Sequence, residues 1–439
     1  MRMREFLATL EQAGDVASIN YEVTREAIPF MIKAEEAGRN RAIVFRRIRG
    51  HSMPLVANLY GTYRRYGMAV GGDEHTLWSR IDDAVAHPAR PASVADGPCF
   101  EVVHREPDIT QLLPVLQYHP LDAGPYITSG LAFMKDPETG RRNISFIRLM
   151  VKGPRKLGFN PKSRHNKAYY EKIALAGKRM EVAFCLGAPT EMLAAGAQWI
   201  PDECDEVEVA TALATPEHRG ELAMVHCKTV DLEVPAGTEI VLEGVVSTEL
   251  EPEGPFGDWT DAYARPQMKP TLHLTCVSHR RDPVYQTIMP GRSKEQIILT
   301  IARFQPEIEA IVAGYPEVRM AVVPEYGLGR LAVVAAADTP KNDEIMRRFL
   351  GIQCINRVVL VNEDVDIDSA EDVLWAISNR ILNTKKVVVD SCVDEWWNHL
   401  KLGIDTTVDL NDIRHKRPTL EPFQGRTRVE PNDEAGPAC

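Results

Sequence analysis

From Ser293 onward the sequence alternates between two hydrophobic periods, and few folds satisfy both. Helix-type spacing over Lys294–Phe304, Asn342–Phe349 and Ser369–Ile381 alternates with strand-type runs at Met320–Val323, Leu331–Ala335 and Val358–Val361. A helix stripe and a sheet face must each be buried against a partner, so this order predicts a layered α/β domain. Upstream the character differs. Short β-type runs at Ser145–Met150, Glu181–Leu186, Ile240–Val246 and Leu272–Val277 dominate, interrupted by helical spacing at Lys167–Ala176 and Thr190–Ala195. The first segment, Met1–Gly38, carries helical spacing (Phe6, Leu7, Leu10, then Ile28, Met31, Ile32) before a strand-like Ala42–Phe45. A Pro- and Ala-rich stretch at His87–Gly97 reads as a loop or a first domain boundary. At 439 residues the chain exceeds what one core usually serves. We therefore expect two or three domains, one of them a layered α/β domain from Ser293 onward, followed by a polar, proline-containing tail.

Composition narrows the partners. A net charge of -11 argues against nucleic acid, whose phosphates demand clustered Lys and Arg. No stretch approaches the roughly 18 to 20 apolar residues that a bilayer requires, and Met1–Gly14 lacks the apolar centre of a signal peptide. The eight cysteines form no CxxC pair, which suits reduced thiols in the cytoplasm and not a structural zinc site. There is no GxGxxG after a strand, no Walker lysine loop, no GxSxG elbow and no HExxH helix.

The most informative segment is Glu253–Asp258, EGPFGD. Its Gly-Pro pair and second Gly preset a tight turn between two carboxylates. Carboxylates brought together repel when both are ionised, so one retains a proton, as a general acid must. Spacing alone also fits an acidic surface turn. Arg148 ends the run Asn143–Arg148 and offers a planar fork for a carboxylate. In a flat strand, however, Asn143 and Arg148 point to opposite faces, so a shared site requires a twist or bulge. His165, in the polar run 162–166, and an acid of the run 202–208 would suit a hard or borderline divalent ion. No short ligand spacing links them.

Taken in order, these stretches resemble the UbiD family of prenylated-flavin decarboxylases. The likeness runs from near the N-terminus to about Thr407. It is carried by DAGPYIT at Asp122–Thr128, KDPETG at Lys135–Gly140, NISFIR at Asn143–Arg148 and VPAGTEIVLEG at Val234–Gly244. EGPFGD, EDVLWAI at Glu371–Ile377 and KLGIDTT at Lys401–Thr407 complete it. The resemblance implies a multidomain α/β (α+β) fold, with an N-terminal α/β region at 1–105, a split β-barrel holding prenylated FMN at 106–292, an α/β oligomerisation domain at 293–405 and a C-terminal tail at 406–439. It implies Asn143, His165 and Glu206 as ligands of Mn2+ or Mg2+, with Glu208 an open alternative to Glu206, and it allows K+ as well. Ile147, Arg164 and Lys401 would neighbour the cofactor. Arg148, Glu253 and Asp258 would be catalytic, with Asp258 as proton donor. The implied reaction is the reversible decarboxylation of an aromatic, heteroaromatic or α,β-unsaturated acid, through a covalent bond between substrate and cofactor. Met289–Gln296 resembles a pocket-lining stretch in which Met289, Arg292 and Gln296 would meet substrate. Some relatives acting on heteroaromatic acids carry a His near the position of Gln296, so the Gln argues against a dicarboxylate or pyrrole substrate. A flavin prenyltransferase would supply the cofactor, and the chain would form a homodimer or homohexamer. The rival readings are a catalytically altered metal- or flavin-binding homologue and a metal-dependent hydrolase without flavin chemistry. Retention of Arg148, Glu253 and Asp258 together favours the enzyme.

Overall fold

The structure is a computed structural model that describes residues 1–161, 164–201, 204–381, 386–393 and 400–417, with the side chains of Arg164, Glu221 and 390–393 left out. The expected tail beyond 417 lies outside the described residues. The chain forms two compact units. One comprises Met1–Ile311 with Val323–Ala332, the other Val312–Val322 with Val333 onward.

The first unit opens with α1 (Met3–Gln12), β1 (Val16–Val23), α2 (Ile28–Ala37), β2 (Ala42–Ile48) and β3 (Leu55–Ala57). Helical spacing therefore does not run unbroken to Gly38. Strand β1 escapes a period-two reading because only Ala17 and Val23 along it are buried, too little alternation to register.

The β-rich domain is built from β4 (Val102–His104), β5 (Tyr126–Ile127), β6 (Leu131–Lys135), β7 (Arg142–Phe146), β8 (Leu149–Val151) and β9 (Lys156–Phe159). After α3 (Arg164–Leu175) come β10 (Met180–Leu186), α4 (Thr190–Ala197), α5 (Glu206–Leu213), β11 (Ile240–Glu253) and β12 (Gln267–His279). These strands form one nine-stranded sheet in the order β5-β8-β9-β12-β11-β10-β6-β7, with β4 also paired to β12. Side chains alternate between two cores. Val182, Phe184 and Leu186 enter one, while Ala183 and Cys185 enter the other. The second core is covered by Met192, Leu193, Val207 and Val209 of α4 and α5. Burial on both faces explains why these runs read as nearly continuous apolar stretches.

Sheet order also dictates closure. Strands β7 and β8 lie at opposite sides of the sheet, yet only Ile147 and Arg148 join them. The three Cα–Cα steps from Phe146 to Leu149 span at most about 11 Å, so the sheet must curl until its edges meet. The outcome is a half-barrel, the α/β class with a split barrel expected above. The predicted single strand Ser145–Met150 is accordingly two strands with a crossing between them. A further irregularity sits at Gly244, where the β11–β12 register shifts between Glu243 and Gly244. A Cβ there would lie 2.4 Å from the His273 carbonyl oxygen, a close approach that only Gly permits. The parallel pair β1/β2 belongs to a separate four-stranded sheet, β1-β2-β3-β13, closed by β13 (Tyr285–Gln286). Helix α6 (Lys294–Ile301) follows.

In the second unit β14 (Val318–Val322), β15 (Leu331–Ala336, in this unit from Val333), α7 (Asn342–Gly351), β16 (Arg357–Val361), α8 (Ala370–Arg380), β17 (Val387–Val393) and β18 (Leu400–Asp405) form a layered α/β domain. Its sheet order is β14-β15-β16-β18-β17. The helices and strands expected from Asn342 to Val361 and over Ser369–Ile381 are present to within about two residues. Among the described residues no helix is long and apolar enough to cross a membrane.

Candidate active site

Strand β11 delivers Glu253 at its last residue, paired with Gln267 of β12. The chain then turns through Gly254, whose φ of 93° belongs to the region that favours glycine, and through a cis peptide to Pro255. Gly158 of β9 leaves room for the acid: a Cβ there would sit 3.3 Å from Cγ of Glu253. Arg148 arrives from the β7–β8 crossing. Its Nε and Nη2 donate to Oε1 and Oε2 of Glu253, both at 2.9 Å. Its third nitrogen, Nη1, lies 3.7 Å from Oδ2 of Asp258. One guanidinium thus serves both acids of the EGPFGD turn. The crossing removes the difficulty posed by a flat strand, since Arg148 is not in the strand that carries Asn143.

The cluster is dry. The Arg148 side chain is 16% exposed and that of Glu253 1%. The guanidinium carbon lies 4.5 Å from the centroid of Phe256, and Phe256 packs against Tyr126 at 4.5 Å. Cation–π attraction and the two hydrogen bonds hold the fork flat. Burial works against the Arg148 charge, but the bonds and attraction of Glu253, with Asp258, carry it above its ordinary range. Burial and the Glu253 charge likewise raise the Tyr126 hydroxyl.

Asp258 is fixed by its own turn. Its N–H donates to the Ala262 carbonyl and its Oδ1 accepts from the Trp259 amide, at 2.9 and 2.8 Å. Asp122 braces that turn from outside: Oδ1 accepts from the Gly257 amide at 2.8 Å, while Oδ2 accepts from the amides of Tyr118 and His119. Asp122, Tyr126 and Phe256 were visible in sequence only as parts of motifs. Nothing in their spacing signals that they support Arg148 and Asp258.

A second cluster lies at the start of β7. His165 Nδ1 is 2.9 Å from Asn143 Oδ1, and Asn143 Nδ2 donates to Asn166 Oδ1 at 2.6 Å. Glu206 opens α5, capped by the side chain of Asp205. It is buried, and its Oε2 has no hydrogen-bond partner. Burial pushes its carboxyl up to about 7, with Asp205 adding to the rise and the amides of Glu206 and Ile144 opposing it. Helix α5, which carries Glu206, packs against β7, the strand of Asn143. Glu208 is partly exposed and 3.9 Å from Arg90, so of the two acids Glu206 is the buried one with an unpartnered oxygen. An amide oxygen, an imidazole and a buried carboxylate fit a hard or borderline divalent ion. Among the described residues no group of three or more His, Cys, Asp or Glu could hold a metal, so an ion bound here would need the Asn143 amide as a ligand.

The remaining expected residues divide. Ile147 and Met289 are buried in the core beneath the sheet. Arg292 is exposed, and its carbonyl accepts from the Lys33 ammonium. Gln296 is half-buried with its Oε1 unpartnered. The Arg164 side chain lies outside the described residues. Lys401 belongs to the second unit, where its ammonium donates to the Leu350 carbonyl. Sequence reasoning missed Glu295, a fully buried acid accepting the amides of Asn58 and Tyr60 at 2.9 and 3.0 Å.

Three family models match along the chain, all described as parts of 3-octaprenyl-4-hydroxybenzoate carboxy-lyase. They are the N-terminal domain over residues 7–85, the Rift-related domain over 91–293 and the C-terminal domain over 300–392. This chain belongs to the UbiD family. The UbiD-class enzyme HmfF from Pelotomaculum thermopropionicum, solved in an evolved dimeric form in complex with prFMN, superposes with a TM-score of 0.85. The two are 30% identical over 98% of this chain and 99% of that one. The anhydromevalonate phosphate decarboxylase of Methanothermobacter thermautotrophicus is 29% identical over 98% of this chain and 100% of its own length. Vanillic acid decarboxylase of Sedimentibacter hydroxybenzoicus, in open form, shares the UbiD fold at a TM-score of 0.77 and 23% identity, covering 98% and 96% of the two chains. The carboxy-lyase class expected from sequence therefore stands.

Proposed function

We propose that this UbiD-family protein is a prenylated-FMN-dependent decarboxylase of an aromatic, heteroaromatic or α,β-unsaturated carboxylic acid. One observation carries the reading: the Arg148 guanidinium, forked onto Glu253, keeps its third nitrogen 3.7 Å from Asp258 in a nearly dry site. Prenylated FMN, when bound, supplies the electron-accepting ring that lets CO2 depart. Asn143, His165 and Glu206 would hold the divalent cation that neutralises the cofactor phosphate, and K+ is a further candidate ion.

The chain's own groups then divide the work. Arg148 orients Glu253 and presents positive charge to the substrate carboxylate. Asp258, held by the amide of Trp259, donates a proton to the carbon that loses CO2 and recovers it from solvent. Glu253 holds the Arg148 guanidinium in place beside Asp258. Phe256 and Tyr126 exclude water, which strengthens each of these interactions. A homo-oligomeric assembly is part of the same proposal.

The test is expression with and without a flavin prenyltransferase, followed by anaerobic assay against phenolic, heteroaromatic and acrylic acids and anhydromevalonate phosphate. We expect visible absorption and CO2 release only after co-expression. In Asp258→Asn, turnover should fall by at least about 100-fold with flavin absorption retained. A protein that stays colourless, or an Asp258→Asn variant with undiminished turnover, refutes the assignment.

A further inference from the structure

His119 is a half-buried histidine that the proposed mechanism does not use. Its backbone is pinned on both sides: the amide donates to Asp122 Oδ2 at 2.9 Å, and the carbonyl accepts from the Asp122 amide at 3.1 Å. The ring is thereby driven between two glycines far apart in sequence. A Cβ on Gly257 would fall 2.4 Å from its Nδ1 and 2.8 Å from its Cε1. A Cβ on Gly291 would fall 3.0 Å from its Nε2 and 3.2 Å from its Cε1. Tyr263 closes a third side with an edge contact at 6.2 Å between centroids. Both glycines are therefore space for this imidazole. Gly257 immediately precedes Asp258, and Gly291 lies within the Met289–Gln296 segment.

The contacts of the ring are steric. Its Nδ1 is buried without a hydrogen-bond partner. The nearest acid, Asp122, is 3.6 Å away, and its oxygens already accept three backbone amides. The ring touches the residue before the proton donor and the segment expected to line the substrate pocket, so it sets the spacing between them.

We propose that His119 is a positioning residue: a wedge that registers Asp258 against the Gly291 segment, so that donor placement and pocket wall move as one. This rests on the reading of Asp258 as proton donor. In the flavin-loaded enzyme, His119→Ala should lower kcat at least tenfold while KM changes less than about threefold and flavin absorption is unaltered. His119→Phe, which restores a ring of similar breadth without nitrogens, should recover kcat to within about threefold of the wild type. The contact itself is tested without activity. Gly257→Ala should lower the folding equilibrium constant at least tenfold more in the wild-type background than in the His119→Ala background. Wild-type kcat in the Ala variant, or a Phe variant as impaired as Ala with its flavin bound, overturns the positioning role. Additive effects of His119→Ala and Gly257→Ala on stability overturn the wedge. If no acid is turned over by the wild-type enzyme, the decarboxylase reading fails and the stability cycle still decides the wedge.

Discussion

Replacing Glu253 by Gln changes one oxygen into an amide in the driest part of the site, and the structure sets the size of the effect. Arg148 makes two charge-assisted bonds of 2.9 Å to that carboxylate. Gln accepts one of them and loses the other together with the charge. Two unit charges about 4 Å apart attract by about 4 kcal/mol at an effective dielectric near 20, and breaking a buried pair costs roughly 3–5 kcal/mol. Asp258, with Oδ2 at 3.7 Å, offsets part of the loss. The net destabilisation should be about 2–4 kcal/mol, read as a lower denaturant midpoint in urea unfolding of the apo protein. The guanidinium, left with one carboxylate, should turn toward Asp258 and draw the proton donor out of place. Turnover should therefore fall by at least about 100-fold, the scale of a lost general acid. An unfolding free energy within about 0.5 kcal/mol of the wild type, the scale of a neutral surface change, would refute the coupling of Arg148 to Glu253.

Three further outcomes follow from single contacts. Glu206→Ala should abolish Mn2+ retention through gel filtration while Glu208→Ala keeps it; equal retention by both variants would remove Glu206 from the cation site. Gly244→Ala forces a Cβ to 2.4 Å from the His273 carbonyl and should cost about 1–3 kcal/mol in unfolding free energy; a neutral change would place the bulge elsewhere. His104 Nε2 lies 3.0 Å from His279 Nε2, and burial with the His279 charge lowers the His104 imidazolium below its ordinary 6.5. The unfolded chain then binds more protons as pH drops through 6.5, so stability falls on acidification. Unfolding midpoints at pH 5.5 and 7.5 should differ less in His104→Asn than in the wild type.

Much of this molecule was readable in its residues, unevenly. The second unit announced itself because Asn342–Gly351 and Ala370–Arg380 each bury one face and expose the other, which is what periodicity detects. The half-barrel was harder. Its strands are buried on both faces, and the one fact that rolls it up, the order of strands in the sheet, is a long-range property. The same limit applied to the site. EGPFGD stood out as two acids around a preset turn, but its partner Arg148 looked misplaced until Ile147 and Arg148 proved to be a crossing and not strand. Asp122 and His119 were invisible as supports because their partners, Gly257 and Gly291, are more than a hundred residues away and offer only backbone and empty space.

The two-residue seam has a consequence for how activity and folding are tied. Arg148 rides on the stitch that draws the rims of the half-barrel together, so the chain has no slack with which to place this guanidinium independently of closure. A molecule whose rims have parted has also let go of Glu253. Acquiring the fold and arming its chemistry are one event, and lengthening that stitch by a single residue strikes at both.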